Sequence, residues 1–364
     1  MKEKGILLPI FSLPSKYGIG DFGYEAYQFI DILSENNIKY WEILPINECD
    51  KHPYSPVSYY ALEEDYISVD KLKEEKLIQN AETRENKDRV IYDNFKEKYY
   101  KEAYRNFRPN NEYYEFIILQ EINEYAEFMS QKTGNEKDYY LFLQYILYKQ
   151  WMELKYYANS KNVQIIGDMP VYPVFESVET KYHSEYFEME NGKFTFEAGT
   201  PPDYFNENGQ KWNSPVYNVE SIKKDNYQYL VKRFKYHLKL FDKVRIDYFR
   251  GYDSFFRIPF GKTGKEGTYV DGLSYGFFDE LFKEKNVALI CTALIGILCR
   301  DIYCIDYNVT VLFIALIVLY QELKNINSQD FDKRREFLIR NISRICNMYK
   351  TEYRSYTCNN CCRI

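Results

Sequence analysis

An acidic and a basic side chain lie two residues apart at the end of one apolar run. The stretch KVRIDYFRG, residues 243–251, reads as a strand, with Asp247 just after its last apolar residue and Arg245 two positions earlier. Side chains two apart on a strand share a face, so the Arg245 guanidinium can favour the ionised form of the Asp247 carboxylate. An ionised carboxylate in a cleft can act as a nucleophile. A structural ion pair would have the same spacing, which therefore does not decide between the two roles.

A second acid, Asp168, follows the apolar stretch QIIG at residues 164–167. In a barrel of parallel strands the functional side chains lie at the C-terminal ends of the strands and in the loops that follow. Asp168 and Asp247 both occupy such ends. For Asp168 alone, a capping role explains the position as well as a functional one does.

Short apolar stretches that end in Pro or Asp recur through the first 250 residues, and helical patterns lie between them. Residues 23–37, for example, place Ala26, Phe29, Ile30 and Leu33 on one helical face. Strand and helix in alternation predict parallel βαβ units. The sequence divides into four segments: first barrel strands and helices (1–72), a helical insertion (73–155), a barrel core with a loop insertion (156–290) and a divergent C-terminal segment (291–364).

Composition excludes some classes of partner. The 364 residues carry 48 Lys and Arg against 54 Asp and Glu, a net charge of −6, with the two signs interleaved. A nucleic-acid binder would gather its basic residues, so we expect no nucleic-acid partner. Aromatic residues make up 18%. Aromatic faces stack on pyranose rings, but a general bias toward Tyr and Phe explains the number equally well.

Seven of the eight cysteines follow residue 290, and Cys49 precedes it. A secreted disulfide framework would not be loaded at one end, so we expect a cytoplasmic protein. The CNNCC stretch lacks four ligands at zinc spacing, and no metal site is expected. The N-terminus has no secretory pattern. The apolar run Val309–Tyr320 is shorter than the roughly 20 residues of a membrane span, so no membrane partner is expected.

Six segments, in this order, resemble the 4-α-glucanotransferases (amylomaltase or disproportionating enzyme), glycoside hydrolase family 77 of the α-amylase superfamily. The resemblance covers about residues 5–272. The segments are GILLPIFSLPSKYGIGDFG (5–23), YWEILPI (40–46), PYSPVSYYAL (53–62), IIGDMPVYP (165–173), AGTPPDYFNENGQKWNSPVY (198–217) and VRIDYFRGYDSFFRIP (244–259). The resemblance implies a (β/α)8 TIM-type barrel with helical and loop insertions. We expect this barrel to be incomplete at its C-terminal end.

The resemblance also implies roles for individual residues. Asp247 stands where the family has its catalytic nucleophile, and Arg245 where it has the arginine that orients this nucleophile. Asp168 would hold the glucosyl unit, and Tyr54 would pack on the substrate, although plain packing explains Tyr54 almost as well. In the loop PPDYFNENGQKW the sugar-facing residues would be Asp203, Gln210 and the stacking platform Trp212, unless this is an ordinary turn with a core tryptophan.

The sequence departs from the family at several positions. Tyr248 replaces the usual histidine after the nucleophile, and Asn213 replaces the usual glycine after the loop tryptophan. Alignment of NVALICTALIGIL (286–298) with the family's Glu-Asp-Leu-Gly motif places Ala293 at the acid/base glutamate and Leu294 at the aspartate. The later His-Asp pair is also missing, since all three histidines precede Asp247.

Two functional hypotheses follow from these departures. The first is a 4-α-glucanotransferase that moves α-1,4-glucan segments between maltooligosaccharides by a retaining double displacement, without a metal or organic cofactor. In this hypothesis the acid/base partner of Asp247 is not identified. The alternative is a non-catalytic α-glucan-binding remnant or a truncated, inactive product. A membrane-attached protein is disfavoured because Arg300, Asp301 and Asp306 interrupt the apolar stretch 287–320.

Overall fold

A computed structural model describes residues 3–84, 95–204, 206–281, 283 and 289–290, all within one compact unit, Met1–Ile297. Its helices are α1 (Tyr24–Glu35), α2 (Val69–Glu74), α3 (Glu97–Asn106), α4 (Asn111–Leu119), α5 (Asn123–Thr133), α6 (Lys137–Ser160), α7 (Val178–Tyr182), α8 (Val219–Lys224), α9 (Gln228–Leu240) and α10 (Ser274–Leu281). Its strands are β1 (Gly5–Leu7), β2 (Tyr40–Glu42), β3 (Gln164–Met169), β4 (Met189–Glu190), β5 (Lys193–Phe194), β6 (Phe196–Thr200), β7 (Gln210–Pro215), β8 (Lys243–Ile246), β9 (Ser254–Pro259), β10 (Thr268–Asp271) and β11 (Leu289–Ile290).

The main sheet has five parallel strands in the order β1-β2-β3-β8-β11. Helices lie in each connection between consecutive strands of this sheet, which confirms the βαβ alternation that the sequence predicts. The two longest connections are β2 to β3, which contains α2–α6, and β3 to β8, which contains α7–α9. The expected incompleteness of the barrel beyond residue 290 falls outside the described residues.

The period of two along each strand separates the helix-facing side of the sheet from the opposite side. On β8, Val244 and Ile246 are buried, whereas Lys243 and Arg245 on the alternate face are only partly buried. Trp41 of β2 is likewise fully buried, and its ring packs against Phe29 of α1 at a centroid distance of 5.1 Å. The face with the charged residues therefore carries the candidate site.

Helix α6 is the longest helix of the described residues, and many of its side chains are buried. It runs for 24 residues, and its Trp151 is fully buried between Phe22 and Phe241, with ring centroids at 5.2 and 5.6 Å. The indole N–H of Trp151 donates to the carbonyl of Leu240 at 3.0 Å, which ties α6 to the end of α9. This contact fixes the helix that leads directly into β8.

Polar side chains define several helix ends. Ser68, Asn110 and Asn218 accept hydrogen bonds from the third residue beyond them, and Ser177 forms a reciprocal capping box with Thr180. Each cap satisfies backbone N–H groups that the first turn leaves unpaired. Among the described helices, none combines the length and apolar character needed to cross a bilayer.

A second, antiparallel sheet has the order β10-β9-β6-β7. The sequence reads as turns in this region, because Gly and Pro are frequent and the apolar alternation is weak. The structure instead forms a β6–β7 hairpin, in which Gly199 permits close approach of the strands: a Cβ there would come within 2.1 Å of the Gln210 carbonyl oxygen. Two residues of the candidate sugar loop, Gln210 and Trp212, therefore lie on a strand.

A buried ion pair fastens the start of α3 to the first crossover. The Lys96 ammonium lies 3.0 Å from the Asp21 carboxylate, and the exposed fractions of the two side chains are only 3% and 5%. The ammonium also donates to the carbonyl oxygens of Asp65 at 2.6 Å and Ile67 at 3.1 Å. All three ammonium protons thus have acceptors, as a buried lysine requires.

Replacement of Lys96 tests this pair. Lys96→Met leaves the Asp21 carboxylate buried without its cation, and we expect a loss of about 3 kcal/mol in the free energy of unfolding, measured by urea denaturation. Lys98→Met removes the exposed pair of Lys98 with Glu82 and should cost less than about 1 kcal/mol. Asp21→Asn combined with Lys96→Met should recover part of the loss. Equal effects of the two lysine variants would contradict this role for Lys96.

Candidate active site

The candidate site lies where β3 and β8 end side by side. Asp168 of β3 pairs in register with Arg245 of β8, and the backbone N–H of Asp247 donates to the Met169 carbonyl at 3.3 Å. The parallel register therefore places both acids and the arginine at one edge of the sheet. This is the edge at which barrel enzymes carry their functional groups.

The carboxylate of Asp168 is the centre of the cluster. Its Oδ2 accepts a hydrogen bond from the Tyr54 hydroxyl at 2.6 Å and another from Nη1 of Arg245. The same Nη1 also donates to the Tyr54 hydroxyl oxygen at 3.2 Å. Three residues that are far apart in the sequence thus form a closed triangle of hydrogen bonds.

Burial dominates the ionisation of Asp168. The side chain is 1% exposed, and its Oδ1 has no hydrogen-bond partner among the described residues. Burial raises the pKa of Asp168 to about 6, against the opposing effects of the Tyr54 hydrogen bond and the Arg245 charge. Its low exposure leaves Asp168 little surface for direct contact with a ligand.

Arg245 also interacts with two other carboxylates. Its Nη2 lies 3.4 Å from Oδ1 of Asp247, and its Nε lies 3.9 Å from Oε1 of Glu42 at the end of β2. The Asp247 side chain is 31% exposed, against 1% for Asp168, so a ligand can reach Asp247 more readily than Asp168. The sequence predicts the pairing of Arg245 with Asp247, whereas the tighter contact in the structure is with Asp168.

The pKa of Asp247 reflects opposing effects. Burial raises it above its usual value, while the Arg245 charge and the hydrogen bond from the Tyr248 backbone N–H lower it. Arg245 therefore acts in the direction that the sequence suggests, but burial is the larger effect.

The three residues of the candidate sugar loop occupy different positions in the β6–β7 hairpin. Asp203 lies in the connecting turn, where its Oδ1 accepts from the Asn206 N–H at 2.8 Å. Gln210 is exposed on β7, and its Oε1 accepts from the Trp212 indole N–H at 3.3 Å. Trp212 is partly buried and meets the ring of Tyr248 edge to face at 4.9 Å. Trp212 is thereby linked to the residue after Asp247.

Two of the departures from the family pattern, Asn213 and Tyr248, fall at left-handed backbone positions. Asn213 has φ of 54° and Tyr248 has φ of 47°. Asparagine tolerates this conformation better than most residues do, so Asn213 can keep the backbone that a glycine would adopt. A tyrosine there is a genuine outlier.

Arg233, which sequence reasoning missed, supports the site from behind. Its guanidinium is almost fully buried, donates to the carbonyl oxygens of Pro170 and Val171, and lies 3.4 Å from the centroid of the Tyr59 ring. It also donates to the Tyr217 hydroxyl at 3.2 Å. Through these contacts Arg233 connects three segments: the chain just after Asp168, the segment that follows Tyr54, and the segment that follows β7.

The structure brings together Tyr54, Asp168, Arg245 and Asp247, and it connects Trp212 to them through Tyr248. Asp203 and Gln210 make their described hydrogen bonds within the hairpin.

Sequence reasoning also missed Glu42, although this residue lies in the quoted segment YWEILPI on the same face as the predicted site. Arg233 gave no signal, because helix α9 carries several basic residues at similar spacing.

Two of the sequence predictions lie beyond the described residues. Ala293 and Leu294, which align with the family's acidic positions, belong to the undescribed segment that starts at residue 291. Within the described ranges, no group of three or more His, Cys, Asp or Glu residues is arranged to hold a metal ion.

Comparison with known families and proteins identifies what the chain resembles. A family model described as Glyco_hydro_77, 4-alpha-glucanotransferase, matches residues 8–138 and 123–305. The 4-alpha-glucanotransferase of Aquifex aeolicus is 33% identical over 322 residues, which cover 77% of this chain and 66% of the relative. That of Synechocystis sp. is 35% identical over 329 residues, which cover 77% and 65%. The chain spans about two thirds of the length of these curated relatives.

Solved structures confirm the expected fold class. The amylomaltase from Streptococcus agalactiae, solved in complex with acarbose, matches with a TM-score of 0.75 at 29% identity, over 86% of this chain and 72% of that one. The amylomaltase from Corynebacterium glutamicum matches with a TM-score of 0.64 at 17% identity, over 77% and 45%. The second likeness concerns the fold alone.

The raised pKa of Asp168 gives a testable pH dependence. Between its ordinary value of 3.8 and about 6, the folded protein holds a proton that the unfolded chain has lost. Stability from this group is therefore present at low pH and is lost as the pH rises through 6, by on the order of 3 kcal/mol. We expect Asp168→Asn to make the fall in stability between pH 4 and pH 7 smaller by this amount in urea denaturation. Glu63, Glu64 and Glu179, whose pKa values burial also raises, keep their own contributions.

The control for this test is Asp50→Asn, at an exposed loop position. It removes a carboxyl group of the same kind without changing the buried cluster. If Asp168→Asn and Asp50→Asn show the same slope as the unmodified protein, the assignment of the titration to Asp168 is wrong.

Proposed function

The chain belongs to the 4-alpha-glucanotransferase family, and we propose that it binds α-1,4-glucans and carries out the nucleophilic half of glucan transfer. In this proposal Asp247 is the nucleophile and Arg245 orients it. The substrates are maltooligosaccharides or other α-1,4-glucans, from which the family's full reaction moves segments to an acceptor by double displacement.

One observation supports this proposal above all others. The structure gathers Asp247, Arg245, Asp168 and Tyr54 at the ends of adjacent parallel strands, with Asp247 more exposed than Asp168. The guanidinium and the Tyr248 N–H both face the Asp247 carboxylate and favour its ionised form, against burial, which raises its pKa. A charged, partly accessible carboxylate with a fixed orientation is what attack on an anomeric carbon requires.

The bond changes of the proposed step are those of a retaining transfer. A carboxylate oxygen of Asp247 forms a bond to C1 of the donor glucose, and the bond from C1 to the leaving oxygen breaks. In the family's full reaction a second carboxyl group gives the leaving oxygen its proton. The same group then takes the proton of an acceptor hydroxyl, which attacks C1 and releases Asp247. This chemistry requires no metal or organic cofactor.

The binding residues of the proposal surround this centre. Tyr54, whose hydroxyl is fixed by Asp168, would pack on the donor sugar, and Trp212 would supply the stacking face. Asp203 and Gln210 are exposed polar groups of the same hairpin and would hydrogen-bond sugar hydroxyls. Asp168 would contribute to binding by holding Tyr54 and Arg245 in place.

The proton donor distinguishes the full reaction from its first half. A second carboxyl group about 5–5.5 Å from the nucleophile is needed to protonate an ordinary sugar leaving group. The sequence aligns Ala293 at that position, and alanine cannot transfer a proton. For ordinary glucan donors, whose leaving group needs a proton, this alignment favours the alternative function, a non-catalytic α-glucan-binding protein.

We also propose a cytoplasmic location. It is supported by the cysteine distribution, since the first 290 residues contain only Cys49, which is buried.

Glucan binding can be tested through Trp212. Of the three tryptophans, Trp41 and Trp151 are fully buried and Trp212 is partly exposed, so maltoheptaose should change the fluorescence of Trp212 alone. Trp212→Ala should remove this change and weaken binding by about tenfold in calorimetry. Trp212→Phe keeps an aromatic face and should retain most of the affinity. An unchanged affinity in Trp212→Ala would exclude Trp212 from the binding surface.

The nucleophile can be tested with α-glucosyl fluoride, whose leaving group needs little protonation. We expect the intact mass to increase slowly by one hexosyl unit, since the C1–F bond breaks as the C1–O bond to Asp247 forms. The adduct should persist, because alanine at the aligned position 293 cannot activate an acceptor hydroxyl either. Maltotriose should show no detectable disproportionation.

Asp247→Asn is the control, and it should form no adduct. Binding of maltoheptaose without an adduct in the unmodified protein would favour the non-catalytic alternative. Rapid turnover of maltotriose would show that another carboxylate serves as the acid/base and would contradict the reading of residues 286–298.

A further inference from the structure

Tyr248 follows the proposed nucleophile directly and adopts an unfavourable backbone conformation. Its φ of 47° places a bulky residue in the left-handed region, where a strained residue persists only if its surroundings hold it. Strained positions of this kind concentrate at functional sites. The contacts of Tyr248 therefore indicate what the conformation achieves.

Three contacts hold the Tyr248 side chain. Its ring meets the Trp212 indole at a centroid distance of 4.9 Å and an interplanar angle of 90°. Its hydroxyl oxygen faces the Phe256 N–H at 3.4 Å, a long hydrogen bond. Its ring also covers Gly251, where a Cβ would lie 2.7 Å from a ring carbon. Two of these contacts reach into the antiparallel sheet, through β7 and β9.

The backbone of Tyr248 acts on the other sheet. Its N–H hydrogen-bonds the Asp247 carboxylate at the end of β8. One residue thus contacts both the proposed nucleophile in the parallel sheet and the proposed sugar platform in the antiparallel sheet.

We propose that Tyr248 is a positioning residue that clamps the Trp212 indole in one orientation beside Asp247. In an edge-to-face pair the Tyr248 ring covers at most one face of the indole, so the other face is not taken by this contact. The clamp sets where a sugar stacked on Trp212 lies relative to the carboxylate. The effect of the clamp on glucan affinity rests on the function proposed above. The clamp itself rests only on the contacts between Tyr248 and Trp212.

Acrylamide quenching tests the clamp without any glucan. Because Trp41 and Trp151 are fully buried, quenching of the folded protein reports on Trp212. Tyr248→Asn removes the ring but tolerates a positive φ, and it should raise the quenching constant about twofold or more. Tyr248→Phe keeps the ring and should resemble the unmodified protein. Tyr156→Ala, at an exposed position on α6, is the control for loss of a tyrosine ring elsewhere.

Glucan affinity supplies the second measurement. Tyr248→Asn should weaken maltoheptaose binding by about threefold to tenfold, while Tyr248→Phe should not. In a Trp212→Ala background, Tyr248→Asn should cause no further loss, because Tyr248 acts through Trp212. A general structural role would instead weaken binding in both backgrounds.

The outcomes separate the two proposals. Unchanged quenching in Tyr248→Asn, with native far-UV circular dichroism, would overturn the clamp. If Tyr248→Asn does not fold, Tyr248→Gly provides the test, because glycine also lacks the ring and adopts a positive φ without strain. Quenching equal to that of the unmodified protein would likewise overturn the clamp. If the unmodified protein binds no maltoheptaose, the proposed function fails, while the quenching result still decides the clamp.

Discussion

The charge of Arg245 is the interaction on which the arrangement of the site depends. Its guanidinium contacts Asp168 directly and lies within 4 Å of Asp247 and Glu42, so one cation faces three carboxyl groups. Asp168 is almost completely buried, and the Tyr54 hydrogen bond and the Arg245 charge together favour its ionised form against this burial. Loss of Arg245 would leave a buried acid without its cation, and the pKa of Asp168 would rise further.

The elements around this cluster serve to keep Arg245 in place. Trp151 of α6 fixes the end of α9, and α9 leads into β8, whose register with β3 sets Arg245 opposite Asp168. Arg233, from the same helix α9, holds the carbonyl oxygens of Pro170 and Val171. The buried Arg233 guanidinium thus supports the end of β3, which carries the buried Asp168 carboxylate.

The sequence predicted those parts of the site that depend on local pattern. Strand ends identified Asp168 and Asp247, and the period of two placed Arg245 on the same face as Asp247. The hydrogen bond between Arg245 and Asp168 joins residues 77 apart, and only the register of β3 with β8 creates it, which no local pattern encodes. The conformation of Tyr248 was hidden for a similar reason, since its contacts come from β7 and β9. The β6–β7 hairpin was read as turns because glycine and proline obscure its alternation.

The hydrogen bonds of the site have a consequence for the order of folding. Tyr54 and Asp168 are 114 residues apart, and Tyr54 and Arg245 are 191 apart. Closing such long loops costs entropy that only completed strand pairing offsets, so contacts of this range form late. The helices can therefore acquire their secondary structure well before the triangle of Tyr54, Asp168 and Arg245 exists. Conversely, local unfolding of either crossover between β2 and β8 would break these hydrogen bonds while most of the helical content persists. The site is therefore among the last parts of the protein to assemble and the first to be lost.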